Sequence, residues 1–408
     1  MTVKTLLLRR RRWDPMVLAV GMLCLSLLIS VGKIAFLFFS VCGLYLALAR
    51  PRSWRGAPVV FTSTLAAWAI WQIGLSLVRG EPLDGNRVLS YAGLEFACAL
   101  LPLGLGLVRH PAHALAWGAR VGVIALVILA PIDYAMTGAR VGLGKNEAIF
   151  AFVVGAVAIA ARLPTGGRWR FLPDGRFWTY LGAVPIVLSG TRAAMLLFVV
   201  VALLDLRRAL PRLRATGRRA AIALVAGIVA AMTAVVPVGG FLLDRIESGV
   251  SEMEAYEATG LAVGSVDTRM AMWSSAVRVL AEHPFIGVGG TARMDLVAEE
   301  AGSNAREILR YQHLHNLVLD EALSSGLVGV LLMSGAMVAF LSGAFRRADD
   351  PVVRDASVAL VAFTFVFGLF HGVLLNEWMV LVAFASMAVI LTELRRRRPF
   401  GGLPAVTP

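Results

Sequence analysis

One histidine in this chain stands where an imidazole could be used chemically. His315-Asn316 is followed, after nine residues, by Gly326-Leu327-Val328-Gly329, at the start of a long apolar run. An imidazole at a wet membrane boundary takes up a proton near neutral pH, which suits a general base acting on a hydroxyl. By itself it could equally be an interfacial histidine without a reaction to serve. Arg192, in Ser189-Gly190-Thr191-Arg192-Ala193, has apolar sequence on both sides. A charge that deep is costly unless it meets a partner, and its planar fork suits a diphosphate. Snorkelling to lipid headgroups is the plainer alternative. Arg269 falls in the first turn of an expected helix, where free amides also favour an anion, although Asp267 or Glu257 could pair with it instead. Asn316, Lys145, Arg293, Arg140 and Glu377 are further candidates for substrate contact, and Arg245 is a weaker one. Glu377 shares its turn with His371 and Asn376. Gly326 and Gly329, one turn apart, are expected to let a neighbouring helix approach closely.

The elements that must position these groups are membrane helices. Apolar residues make up 58% of the 408 and charged residues only 16%, well below the quarter usual in soluble domains. Mean hydropathy is +0.76. Twelve apolar runs read as crossings: 15–31, 34–49, 57–78, 89–108, 114–132, 148–161, 177–190, 193–205, 220–238, 317–344, 356–374 and 378–392, of which 148–161 and 193–205 are short and must include flanking polar residues. The fold class expected is therefore an all-α polytopic membrane protein of about twelve transmembrane helices. Arg9 to Arg12 followed by an apolar run could imitate a signal peptide, but no small-x-small site follows. The first run is read as an uncleaved span.

Net charge is +13, yet the cations sit in short clusters between apolar runs, which points away from nucleic acid. With the N-terminus inside, 27 of the 39 Lys and Arg residues fall on one side and 12 on the other. The positive-inside rule then places both termini in the cytoplasm. The division expected is 1–240 for spans one to nine, 241–315 for a periplasmic loop, 316–394 for spans ten to twelve, and 395–408 for a cytoplasmic tail. The loop carries eleven acidic residues and six arginines, too polar for lipid. Asp267 is expected to cap a helix whose Met270, Trp273, Val277 and Leu280 lie on the membrane interface. His283-Pro284 should end it, and Thr291 and Ser303 should cap two shorter helices.

Several chemistries lack their residues. No Asp-x-Asp pair or His-Glu-x-x-His is present. Gly142-Leu143-Gly144-Lys145-Asn146 departs from a phosphate loop at Ala139 and Asn146, and Gly287-Val288-Gly289 lacks the last glycine of a dinucleotide fingerprint. Cys24, Cys42 and Cys98 all fall inside apolar runs and imply no disulfide framework. No metal and no nucleotide cofactor is expected. Glu95, inside the fourth run, would favour a transporter if charged, although a neutral, hydrogen-bonded side chain is the simpler reading.

Taken together, these residues resemble the O-antigen ligase family of the bacterial ligase/polymerase superfamily. His315-Asn316-x9-Gly326-x-x-Gly329 is similar to the family's His-Asn/Ser/Gln-x9-Gly-x-x-Gly pattern, with Val330-Leu331 departing from what often follows. Arg192 after Leu188-Ser189-Gly190-Thr191 resembles the family's membrane arginine. Arg269, Trp273 and Pro284-Phe285-Ile286-Gly287-Val288-Gly289 resemble the start of its large periplasmic loop. The motifs cover roughly 185–332.

The resemblance implies a glycosyltransferase architecture of the GT-C kind. It implies an undecaprenyl diphosphate-linked glycan as donor, lipid A–core oligosaccharide as acceptor, and an inner-membrane enzyme acting in the periplasm without metal or ATP. His315 would be the base, and Arg192 and Arg269 would bind the diphosphate. An O-antigen polymerase or a protein O-oligosaccharyltransferase of the same superfamily could use the same residues. A polysaccharide transporter or flippase is the alternative from another class.

Overall fold

In the computed structural model the chain is described at residues 3–50, 53, 54, 57–167, 171–216, 251–254, 256, 258, 260–262 and 264–397, with backbone alone at 3–12, 212–216, 396 and 397. The expected ninth span, 220–238, and Arg245 and Glu257 lie outside the described residues. No strand occurs among the described residues.

The N-terminal helices are α1 (Val3–Leu27), α2 (Ile29–Ala49), α3 (Val59–Val78), α4 (Arg87–Leu105), α5 (Pro111–Thr137), α6 (Glu147–Ala161), α7 (Phe177–Leu181), α8 (Ala183–Ser189) and α9 (Arg192–Thr216). A polar segment follows with α10 (Ser265–Glu282), α11 (Arg293–Ala301), a 3-10 turn (Gly302–Asn304) and α12 (Ala305–Ile308). Then come α13 (Leu317–Arg347), α14 (Pro351–Gly368), a 3-10 turn (Val373–Leu375) and α15 (Glu377–Arg397). Seven of these, α2 to α5 and α13 to α15, are long and apolar enough to cross a membrane, and Trp13–Leu27, Glu147–Ala161 and Phe177–Ser189 are shorter apolar helices. The chain is a polytopic, all-helical membrane protein.

Eleven of the twelve expected runs coincide with helices or helix pairs. The first boundary falls at Leu28 rather than at Gly32-Lys33. Lys33 stays within α2 because its ammonium meets Glu377 Oε2 at 2.5 Å. The seventh run is two short helices broken at Gly182, just before Pro185.

α6 and α15 form the centre of the bundle. Every residue from Phe150 to Ala161 is buried, and α15 is buried on nearly all sides. Phe152, Phe363 and Phe367 stack between α6 and α14. Such all-round burial is expected of helices ringed by other helices, not of lipid-facing ones.

The α10–α12 segment has its own small core, in which Ala271, Met272, Ala276 and Val279 of α10 meet Val297, Ile308, Leu314 and Leu323. The small residues of α10 pack inward against α11 and α13, whereas on the expected interfacial face Val277 is exposed and Trp273 and Leu280 are only partly buried. Close helix contact favours small side chains, so the buried stripe is the one with less apolar bulk. The caps shift as well. Gly264 caps α10, and Asp267, at the third position, accepts from the Gly264 N–H at 2.8 Å. Ala292 precedes α11, and Ser303 lies inside a 3-10 turn. His283 does end α10.

Candidate active site

The histidine site is built at the bundle end where α4, α6, α13 and α15 begin. All four are capped by an asparagine: Asn86, Asn146, Asn316 and Asn376 each accept backbone N–H bonds from the first turn. Asn316 is therefore a helix cap, its Oδ1 3.1 Å from Val318 N and 3.2 Å from Leu319 N.

His315 precedes that cap with a left-handed backbone, φ 54°. A side chain other than glycine is held there only when its surroundings over-determine it. Here the preceding peptide is fixed from both directions: Leu314 N–H donates to Asp320 Oδ1 at 2.9 Å, and Trp273 Nε1 donates to Leu314 O at 2.8 Å. Arg293, buried against the same carboxylate at 3.8 Å, donates to Ser324 Oγ and to Gln312 O. Arg293 is thus buried in the scaffold behind His315 and does not line the cavity as a substrate contact would.

Three imidazoles cluster at this point. The His313 and His315 rings are 4.3 Å apart, and the His371 ring is 6.0 Å from that of His315. Burial, then the charges of Arg293, Arg269 and Arg87, brings His313 down to about 4. Burial, then His313 and Arg269, brings His315 to about 4, with Asp320 and a hydrogen bond to the Phe370 backbone opposing. Burial, then His315 and Arg269, takes His371 to about 3. All three are neutral at pH 7, so each keeps a lone pair for a proton or a hydrogen bond. The buried Nδ1 of His315 has no hydrogen-bond partner among the described residues.

His315 opens into a cavity of about 2490 Å³ that Arg192, Arg269, Arg140 and Arg87 also line. The N-termini of α6, α9 and α10 border it too. Four guanidinium groups and three helix starts give the mouth a positive field, suited to an anion held outside the hydrocarbon. The rest of the wall is mostly aliphatic, from Val184 and Val187 to Leu203 along α8 and α9. Such a space can accept an amphiphile, with its anionic part at the histidines and its apolar part between helices.

The structure separates the remaining candidates. Arg140 lies at the cavity with Nε donated to Ser189 O at 2.9 Å, which ties it to the turn before Arg192. Lys145 does not line the cavity. Its ammonium sits 4.1 Å from the Trp378 ring and donates to Leu27 O at 3.1 Å, and burial lowers its pKa. Glu377 is likewise taken up by Lys33.

Gly326 and Gly329 do not form a face for another helix. Gly326 breaks α13 with φ 75°, and a Cβ there would lie 2.0 Å from Phe285 O. At Gly329 a Cβ would meet Ser325 and Glu321 of the same helix. The break leaves α13 backbone groups that the Pro284–Val288 loop takes up: Leu327 N–H donates to Pro284 O, and Val288 N–H donates to Leu323 O. Arg79, which sequence reasoning missed, clamps this junction through the carbonyls of Ile286, Gly287 and Ser324. The loop motif and the glycine motif are two halves of one joint.

Glu95 is buried and accepts from Gln72 Nε2 at 2.8 Å, close to Glu321, which Trp68 Nε1 holds at 2.7 Å. Arg120 is buried at the opposite end against Asp174 and three carbonyls. These are local knots rather than a charged path across the bundle.

Residues 177–334 match the family model described as O-antigen ligase. Among curated proteins, none matches the chain. The matched stretch begins at α7 and runs into α13, so it holds Arg192, Arg269, Trp273, the Pro284–Val288 loop, His315 and the Gly326 break, whereas Arg140 and His371 reach the site from outside it. This stretch, which supplies the joint together with Arg192 and Arg269 of the cavity, is similar to the O-antigen ligase family.

Proposed function

We propose that the chain is an O-antigen ligase, transferring glycan from undecaprenyl diphosphate to a sugar hydroxyl of lipid A–core at the periplasmic face of a bacterial inner membrane. The observation that carries this reading is that neutral His315 shares one cavity with Arg192 and Arg269. In the reaction the acceptor hydroxyl attacks the anomeric carbon and its proton passes to the imidazole. The bond from that carbon to the diphosphate oxygen breaks, and undecaprenyl diphosphate leaves. Arg192 and Arg269 stabilise the charge growing on the leaving group. A base brought down to about 4 is weak in the empty site, but a bound diphosphate offsets Arg269 and raises it. One attack gives inversion at the anomeric carbon. The leaving group provides the driving force, so neither ATP nor a metal cofactor is invoked. The charge bias of the loops supports cytoplasmic termini and a periplasmic site.

The test is reconstitution of purified protein with lipid-linked glycan and lipid A–core. Transfer should occur, and His315→Ala, Arg192→Ala and Arg269→Ala should each abolish it while the melting temperature is retained. Near-normal turnover in any of the three removes that residue's role. Elongation of lipid-linked glycan without transfer to lipid A–core would make the protein a polymerase instead.

A further inference from the structure

The bundle end remote from His315 carries a second cluster of ligating groups. His110 precedes α5 and His113 lies in its first turn, while Glu393 lies near the end of α15. Since α15 begins at the histidine site, Glu393 lies about 24 Å along it at 1.5 Å per residue. We propose that His110, His113 and Glu393 form a binding site for one divalent transition cation, with zinc the best fit to two imidazoles and a carboxylate.

The geometry supports this. One ligand atom from each residue lies within 4.8 Å of the other two, and His110 Nδ1 is 3.6 Å from a Glu393 carboxylate oxygen. Ligands 2.0–2.2 Å from a tetrahedral zinc ion are about 3.4 Å apart. The His110–Glu393 edge is therefore within about 0.2 Å of that spacing, and no edge must shorten by more than about 1.4 Å.

His113 and Glu393 are buried. The His110 and His113 rings lie nearly parallel, 4.9 Å apart, so half-exposed His110 must turn about its side-chain bonds to bring its in-plane lone pair to an ion shared with His113. His110 itself holds a left-handed φ of 49°. Two imidazoles and one carboxylate supply three protein positions, and half-exposed His110 leaves an opening for water or a further ligand at the fourth. The start of α5 disfavours a cation and the end of α15 favours one, so the two helix ends offset each other where they meet. A metal here would tie the α4–α5 turn to the end of the central helix, far from the transfer reaction.

The experiment uses full-length protein with a purification tag free of histidine, stripped with chelator and titrated with Zn²⁺ by calorimetry and with Co²⁺ by visible absorption. One equivalent should bind, with the intense visible bands of tetrahedral Co²⁺. His110→Ala, on a half-exposed side chain, and the isosteric Glu393→Gln should each weaken binding more than about tenfold, since even indirect supports of a ligand cost 10–100-fold. Zn²⁺ should raise the melting temperature of the wild type but not of His110→Ala. His371→Ala should leave the stoichiometry unchanged. The absence of stoichiometric binding, equal binding by His110→Ala and wild type, or loss of the bound equivalent in His371→Ala would each overturn the proposal.

Discussion

The indole N–H of Trp273 donates to the carbonyl of Leu314 at 2.8 Å, one residue before His315. A residue on α10 thereby sets the backbone of the proposed base. Trp273→Phe keeps one aromatic ring and removes the donor together with the indole's five-membered ring. Stability should fall by at least about 1 kcal/mol, the share of one hydrogen bond, with the lost ring volume adding to it. Turnover should fall further, on the order of tenfold or more, because small misplacement of a catalytic group is costly. Melting curves and steady-state transfer assays together check this, and kcat should change more than KM.

The acid limb of the pH profile should lie unusually low. A histidine at its ordinary value would lose base function below about pH 6.5. His315 is held at about 4 by burial, His313 and Arg269, so kcat/KM, which reports the free enzyme, should stay flat from pH 7 down to about 5. The limb in kcat should lie higher than that in kcat/KM, because bound diphosphate favours the protonated ring. Transfer rates against pH, at low and at saturating donor, separate the two.

Stability should also depend on pH, in the opposite sense to a salt-bridged histidine. His313, His315 and His371 have folded values of about 4, 4 and 3, below the ordinary 6.5. Between those values the unfolded chain binds more protons, so stability is fully present above pH 6.5 and declines as the pH falls toward 3. The melting temperature of detergent-solubilised protein should therefore drop from pH 7 to pH 5. His371→Asn should make that slope shallower.

Gly326→Ala should be far more damaging than an alanine substitution elsewhere in a helix. The new Cβ must avoid Phe285 O at 2.0 Å and adopt φ 75°. Either the joint between the loop and α13 opens or the helix straightens, and both move His315 relative to Arg269. A loss of about 3 kcal/mol or more is expected, with no measurable transfer. Arg79→Ala removes the clamp without the clash and should lower activity less.

At the other end of the bundle, Asp174→Asn should destabilise the protein without changing its catalytic pH profile. Burial raises the Asp174 carboxyl, but hydrogen bonds from Arg120 and Thr165 more than offset this and hold it at about 2. Arg120 is fully buried, so losing the carboxylate leaves a charge with only neutral partners, the Thr165 hydroxyl and three carbonyls. A cost of about 3 kcal/mol is expected, read as a lower melting temperature.

Sequence alone determined the solvent and the parts list. Runs of apolar residues long enough for a bilayer can hardly fold otherwise, because each span must satisfy its own backbone, and eleven of the twelve runs coincide with helices. His315, Arg192 and Arg269 stand out in the sequence as well, because charge and imidazole beside apolar sequence need a reason, and all three line one cavity. What a side chain does once it has neighbours was not legible. Gly326-x-x-Gly329 has helical spacing, yet Gly326 is where the helix breaks, since the Phe285 carbonyl approaches too closely for any Cβ. Lys145 and Arg293 look like free cations in the sequence but are engaged by Trp378 and by Ser324 and Gln312. Arg79 and the grouping of His313 with His371 depend on chain segments far apart in number, as does the meeting of His110 with Glu393. Tertiary structure decided these, because local sequence fixes periodicity and capping, whereas partnership requires that the helices first be packed.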